Sequence, residues 1–534
     1  MNRRRFLELL SASAAASNLV ACRENMDDPG LALPPFYDGP WGGTIPAQQF
    51  SLLPSERRPD GILEVFLLGG MTPWETFYAA PEHGNPAAGG PNAGQQWWSF
   101  QSPDTGLSVP EWYSSCVGSS DPLLSRWTTD TNGIGIHLGP FVHALRQRPD
   151  ILSKMRVWVL RHDTEPHELG IPLAMSGLPL GNARMASLGA HVQRFYSENQ
   201  TNGRTAPYAY SVYMNALQLA AAGKAGSAVG LHRASARPME IGLSRNPSLP
   251  GQLPRPNVTG YKTELDALIQ YYANRTSSRL GRSRFSNLRA PGFDDYAFAR
   301  HAMENHEVLS ELLSSDLLRS EDIQLCLPQQ VPDGPGDVAL DEVATGLRAA
   351  THLLTRQMNS ARYVQFVDSG IYTDPVGQGY DAHGNHVVQS APNLPHLLTN
   401  LVQQINEPGE ADPNKLDLDK HFVLLNTEFG RSPYPEVSPR NPHGGGTDHW
   451  PWGYVVVGFG GFIDEERRGL VGAIGPDGIA TDYITPTEHR AALLSAMGIW
   501  PFTEQSFAVG DIRDVGTELD AAVFLREHIL GYSV

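Results

Sequence analysis

The stretch ILEVFLLGG, residues 62–70, decides how the rest of the chain is read. A short apolar run ended by Gly69 and Gly70 has the pattern of a strand buried on both faces. Four further runs share it: MRVWVL (155–160), RYVQFV (362–367), HFVLLNT (421–427) and GYVVVGF (453–459). Helical patterns lie between and after them, in GPFVHALRQRP, in SLGAHVQRFYSEN (187–199) with Ser187 at its N-cap, and over 261–320, 338–359, 486–497 and 517–530. Apolar strands alternating with helices predict an α/β fold, a doubly wound and mostly parallel sheet with helices on both faces. Residues 79–131, containing AAGGPNAGQQWW, read as a loop-rich insertion, and the Pro- and Gly-rich residues 23–60 as a linker.

The first residues read as an address. Arg3 and Arg4, followed by Phe6, Leu7 and an Ala/Ser run, fit twin-arginine export. LVAC, ending at Cys22, resembles a bacterial lipobox, so the expected location is periplasmic or membrane-anchored through an acylated Cys22. The segment is too short and polar to span a bilayer, which takes about 20 apolar residues. Beyond Cys22 only Cys116 and Cys326 remain, so no disulfide framework is implied, and sequence leaves a single bridge between them open.

The 534 residues, with 41% hydrophobic side chains, suffice for a large core, and 53 Gly with 42 Pro predict an ordered but loop-rich chain. No internal repeat is present. A net charge of −17 argues against nucleic-acid binding, because phosphates call for a basic surface. An anionic ester would need local positive charge at its site, from a metal or an arginine.

In an α/β sheet, ligands gather at the carboxyl ends of the strands. Thr72 and Glu75 follow the first run, and RHDTEPHELG (161–170) follows the second, carrying His162, Asp163, Glu165, His167 and Glu168. The third leads through Asp368 to Asp381, His383 and His386, and the fourth to Glu428, Arg431 and then HGGGTDHW (443–450) with Asp448 and His449. Asp and His are donors suited to Zn, Mn, Fe or Mg. Asp381 and His383, two apart in an extended stretch, would point the same way and share an ion, with His386 as a third ligand or an outer partner. Gly444–Gly446 would let Asp448 and His449 fold back onto that ion. Each feature also has an ordinary reading: a solvated Gly-rich loop, a turn at DAHGNH, a Glu428–Arg431 salt bridge, a charged loop after 160.

LLNTEFGRSP (424–433), GGGTDHW (444–450), YDAHGNH (380–386) and LLGGMTPWETF (67–77) together resemble the bacterial domain of unknown function 1501 family, in order from about residue 61 to about residue 500. That family is exported by the twin-arginine route and placed in the alkaline phosphatase-like superfamily, beside sulfatases and phosphatases. The resemblance implies an alkaline phosphatase-like domain over 61–534 holding one or two divalent ions (Zn, Mn, Fe, Mg or Ca), where a Ser, Thr or Cys at a helix N-terminus attacks a phosphate or sulfate ester. Residue by residue it implies Asp381, His383, Asp448 and His449 as metal ligands and Arg431 as the holder of the anion. MASLGAH (185–191) resembles the family's Pro-Ser-x-Gly segment and makes Ser187 the nucleophile candidate, although the same serine reads equally as an N-cap. His167 falls where relatives often carry a histidine, and His489 offers the superfamily's late histidine.

Two departures stand out: Thr72 where active relatives place an acid after the first strand, and Ala186 in place of a proline. The expectation is therefore an exported metal-dependent hydrolase of a sulfate or phosphate ester, small or glycan-borne. Its alternative is a lipid-anchored binding or assembly protein that keeps the fold without turnover. A hydrolase of peptide or glycosidic bonds ranks below both, since the chain has no HExxH helix.

Overall fold

The apolar runs form strands at the expected places, in a computed structural model that describes residues 52–83, 124–198, 209–214, 238–243, 267–268, 271–272, 275, 342–357, 360–370, 379–383, 386–438, 441–503 and 506–533. The export segment, Cys22, Cys116, Cys326, residues 84–123 of the expected insertion and nearly all of 261–320 lie outside the described residues. In chain order the strands are β1 (Gly61–Leu67), β2 (Ser125–Thr129), β3 (Gly135–Leu138), β4 (Met155–Leu160), β5 (Ala209–Met214), β6 (Met239–Leu243), β7 (Tyr363–Asp368), β8 (His421–Thr427), β9 (Gly430–Ser438), β10 (Asn441–Trp450), β11 (Tyr454–Gly460), β12 (Gly469–Val471), β13 (Ala473–Ile474) and β14 (Ala480–Asp482). The longer helices are α1 (His167–Ser176), α2 (Leu188–Glu198), α3 (Glu342–Thr355), α4 (His386–Gln403), α5 (Pro486–Ala496) and α6 (Glu518–Phe524).

One eight-stranded sheet runs in the order β12-β4-β11-β8-β1-β7-β5-β6. β1 pairs in parallel with β7 and β8, β5 with β6 and β7, and β12 with β4. The sheet is mixed, because β11 runs antiparallel to both of its neighbours, β4 and β8. The cause lies just before it. β9 and β10 form an antiparallel ribbon that leaves the end of β8 and returns to the same edge, where Trp450 pairs with Gly430. β11 must start from that edge and run back. HGGGTDHW is thus largely strand, not the expected glycine loop.

Helices cover both faces, as alternation predicted. Val65, Val364, Val423 and Val455 pack with Leu347 of α3 and Leu397 of α4. Ile62, Trp158, Leu424 and Val456 pack on the other face with Leu188 and Val192 of α2, Leu493 of α5 and Ala522 of α6. Each such side chain contributes roughly 1.5–3 kcal/mol through burial. Leu52 and Leu53, expected at the end of a linker, are already in this second core. The end of the expected insertion is likewise ordered, as the β2–β3 hairpin. The helix expected over 517–530 is present, as α6 continued by a wider helical turn at Leu525–Ile529. α5 begins where its sequence says it should: the Thr485 hydroxyl accepts from Glu488 N–H at 3.2 Å, the Glu488 carboxylate accepts from Thr485 N–H at 2.8 Å, and Pro486 takes the first helical position.

One charge sits inside the second core. Glu64, in the middle of β1, is fully buried and receives Arg490 Nη1 of α5 at 2.8 Å. Tyr363 of β7 donates to the same carboxylate at 2.5 Å and Asn426 of β8 at 2.9 Å, while Arg490 Nε reaches Ala174 O of α1 at 2.7 Å. Three adjacent strands and two helices therefore share one neutralised pair. Removing one partner strands a buried charge and typically costs about 3–5 kcal/mol. Arg490→Met should lower the urea midpoint by a shift of that size, and Glu64→Gln added to it should recover most of the loss. Equal stability of the single and double variants would show that the pair does not carry the load.

Candidate metal centre

The carboxyl edge of the sheet brings together chain segments that are far apart in sequence. β1 ends into Gly69 (φ +116°) and Gly70 (φ +106°), conformations that L side chains rarely adopt. A Cβ at Gly69 would lie 2.4 Å from Asp381 N, so glycine is what lets the 381 segment close down on the strand end. Glu428 follows β8 and Arg431 stands at the start of β9, from the turn after β4 comes α1 with His167 as its first residue, and β10 brings Thr447 and His449.

Asp381 is the meeting point. Its Oδ1 lies 3.0 Å from His383 Nε2, 3.1 Å from His449 Nε2 and 3.0 Å from Arg431 Nη1, and its Oδ2 lies 3.3 Å from His167 Nε2. The two imidazole nitrogens of His383 and His449 are themselves 3.0 Å apart. Burial works against the Asp381 charge, but the His167 and His383 rings at its oxygens, with the Arg431 cation behind, hold its carboxyl well below the usual carboxylate range.

Two of the histidines are anchored by their outer nitrogens. His449 Nδ1 faces the Glu165 carbonyl oxygen at 2.9 Å and must carry the proton there. Burial lowers the pKa of this ring, so it is neutral and its Nε2 presents a lone pair to Asp381. His167 Nδ1 contacts Glu428 Oε1 at 2.8 Å, while its buried Nε2 has no hydrogen-bond partner. That nitrogen is near enough to Asp381 for an ion pair but is not aligned for a hydrogen bond. A carboxylate or carbonyl on the outer nitrogen, with the inner one aimed at a shared point, is the arrangement that orients histidine ligands around a metal. His167, Asp381 and His449 form one donor group with atoms within 4.8 Å of one another, and His383, Asp448 and His449 form a second.

Behind the donors lies a buried polar layer. Arg431, fully buried, donates Nη1 to Gly69 O at 3.0 Å, Nε to the Thr447 hydroxyl at 3.0 Å and Nη2 to Thr447 O. The Thr447 hydroxyl is 3.2 Å from His386 Nδ1, and His386 Nε2 is 3.2 Å from Glu75 Oε2.

Several sequence expectations change here. Arg431, expected to hold an anion, is turned inward and braces Asp381, because its donors are taken by backbone and side-chain acceptors. Adjacent residues of a strand point to opposite faces, so His449 turns into the cluster while Asp448 is exposed, its Oδ1 accepting from His449 N–H at 2.8 Å. His386 is not beside Asp381 but in the layer beneath. Glu428 accepts from Gly69 N–H at 2.8 Å and contacts His167, and among the described residues no salt bridge joins it to Arg431, the ordinary alternative. Ser187 is 2% exposed and its hydroxyl accepts from Ala190 N–H at 3.2 Å, which is the capping role. Among the described residues no hydrogen bond joins it to the Asp/His cluster. Thr72 is buried and donates to Glu75, and His489 packs its ring 5.1 Å from that of Trp158. Glu428 and the Glu165 carbonyl were the contributors hardest to read beforehand.

The pairing of His167 has a consequence for stability. Burial opposes its charge, but Asp381 and Glu428 outweigh that and raise its pKa from 6.5 to about 9. A raised folded-state pKa gives stability that is complete below the unfolded value and lost as pH climbs through the folded one. In chelator-treated protein the thermal midpoint should therefore fall between pH 6.5 and about 9. His167→Gln should flatten that portion of the profile. An unchanged slope in the variant would assign the titration to another group.

No curated protein matches this chain. Residues 327–502, which carry Asp381, His383, Glu428, Arg431, Asp448 and His449, match the family described as Protein of unknown function (DUF1501), and that match supports placing the chain in the family its motifs resemble.

Proposed function

We propose that the protein is a metal-dependent hydrolase of the alkaline phosphatase-like class, exported by the twin-arginine route, anchored through Cys22 and acting on a sulfate or phosphate ester outside the cytoplasm. The observation that supports it most is the convergence of three imidazole Nε2 atoms on the ionised Asp381, with the outer nitrogens of His167 and His449 already engaged. His167, Asp381, His383 and His449 would hold a divalent ion, with exposed Asp448 at the rim. Three imidazoles and one carboxylate suit zinc, manganese or iron better than magnesium or calcium. Because His449 Nδ1 is committed to Glu165 O, this histidine has one nitrogen to offer, and the centre takes one ion rather than two.

A divalent ion in this place would supply Lewis-acid activation of water and of the ester oxygen at neutral pH. The chain's own groups set the charge it works in. Asp381 and Glu428 against Arg431 sum to one net negative charge once His167 has given up its proton, the form in which its Nε2 would hold an ion. A divalent ion reverses that sign, which is what an anionic substrate requires. Arg431 fixes Asp381 from below, and Glu428 fixes the ring of His167. Ser187, capping α2, has no part in this reading, so the attacking oxygen belongs to water.

A second reading, a non-catalytic binding or assembly protein that keeps a metal for structure, draws support from the burial of Ser187 and Thr72. Export rests on the sequence of residues 1–22; no described helix is long and apolar enough to cross a membrane.

Elemental analysis of protein exported from metal-replete cells, together with ester turnover, separates these possibilities. About one equivalent of a transition metal is expected, lost in Asp381→Ala and in His449→Ala and largely kept in Asp448→Ala. Hydrolysis of aryl sulfate or phosphate esters should survive Ser187→Ala. Metal-free protein that takes up no zinc, manganese or iron on titration would overturn the proposal, and metal without turnover on any ester would favour the second reading.

A further inference from the structure

His162 lies next to the centre without touching the donor atoms, and its environment settles its protonation. Its Nδ1 accepts from Thr164 N–H at 3.1 Å, so the proton sits on Nε2, which donates to the Glu428 carbonyl oxygen at 2.8 Å. The His162 backbone N–H is itself held by Pro451 O at 3.0 Å, and the ring stands edge-on to Tyr454 with centroids 5.4 Å apart. These contacts tie the turn after β4 to the end of β8 and to the start of β11. Burial also pushes the ring's pKa down to about 4, which keeps this one neutral form throughout the physiological range.

Three residues further on, the same turn presents the Glu165 carbonyl oxygen to His449 Nδ1 at 2.9 Å. His449 has a competing option. With its proton on Nε2 it would donate to Asp381 Oδ1, 3.1 Å away, a bond strengthened by the carboxylate's charge. In that form the nitrogen facing the centre has no lone pair to give an ion. What holds the proton on Nδ1 is the Glu165 carbonyl, and what holds that carbonyl in place is the turn pinned by His162.

We propose that His162 is a positioning residue for the centre: by pinning the 161–166 turn it keeps His449 in the Nδ1–H form, with Nε2 available as a ligand. The two histidines thus hold opposite tautomers. The inference rests on the metal reading above for its importance, but its structural content can be tested without a metal.

The test uses the full chain and two readouts. Long-range ¹H–¹⁵N correlation of the histidine rings in chelator-treated protein should show His449 protonated at Nδ1 in the wild type and a mixture with the Nε2–H form in His162→Ala. Zinc affinity, measured by competition with a chelator, should fall about 10–100-fold in His162→Ala, the loss usual for partners that orient a ligand. His162→Gln, whose amide can still donate to the Glu428 carbonyl, should recover part of the affinity and of the Nδ1–H signal. If His162→Ala fails to fold, His162→Gln and His162→Asn are compared on the same two readouts. Unchanged zinc affinity, or weakened affinity with His449 still wholly Nδ1–H, would overturn the proposal. Wild-type protein that binds no zinc would instead overturn the metal reading, and the tautomer measurement would still decide this one.

Discussion

A guanidinium with no exposed surface must find every acceptor inside the protein, and Arg431 finds them on three separate segments. Gly69 O belongs to the turn after β1, Asp381 to the segment before α4, and Thr447 to β10. Leaving such a cation unpaired in the interior costs several kcal/mol, so these segments are held where Arg431 needs them. Its own backbone is tied as well, since Trp74 Nε1 donates to Arg431 O at 2.8 Å. The position of Asp381, and with it the spacing of the three imidazoles around that carboxylate, follows from this requirement.

Two of the buried arginines divide the labour of the molecule. Arg490 with Glu64 joins β1, β7 and β8 to helices α1 and α5 within one core layer. Arg431 does the same at the carboxyl edge, where the apolar packing gives out and polar groups must be satisfied one by one. The Thr447–His386–Glu75 column continues that second network inward, so the Asp/His cluster sits on a polar floor and not on apolar core.

Much of the fold was legible because buried strands leave a plain trace. MRVWVL and HFVLLNT became β4 and β8 with the same boundaries, and the Thr-Pro-Thr-Glu start of α5 carries its own capping chemistry. An apolar run says nothing about direction, however, so the reversal of β11 could not be read from GYVVVGF. Three glycines suggested a loop at 444–446, yet Gly446 pairs with Glu436 of β9, after an irregular stretch that begins at Asn441. The site was legible to the extent that its residues lie close in sequence: Asp381 with His383, and His449 with Thr447. Glu428 offered an ordinary salt bridge to Arg431, three residues on, but its partner His167 is 261 residues away, a distance over which a single sequence carries no signal. Ser187 shows the opposite limit. A serine before a helix serves as a cap or as a nucleophile with the same neighbours, and only its burial distinguishes the two.

The antiparallel ribbon of β9 and β10 also dictates when in the life of the chain the cluster can exist. His167 and Asp381 are synthesised well before His449, but they have nothing complete to form until β10 has paired with β9 and set His449 opposite Arg431. A nascent chain halted before His449 would hold His167, Asp381 and His383 without the residue that joins both donor groups. Completion of the cluster therefore waits until the chain has been made as far as β10 and the ribbon has paired.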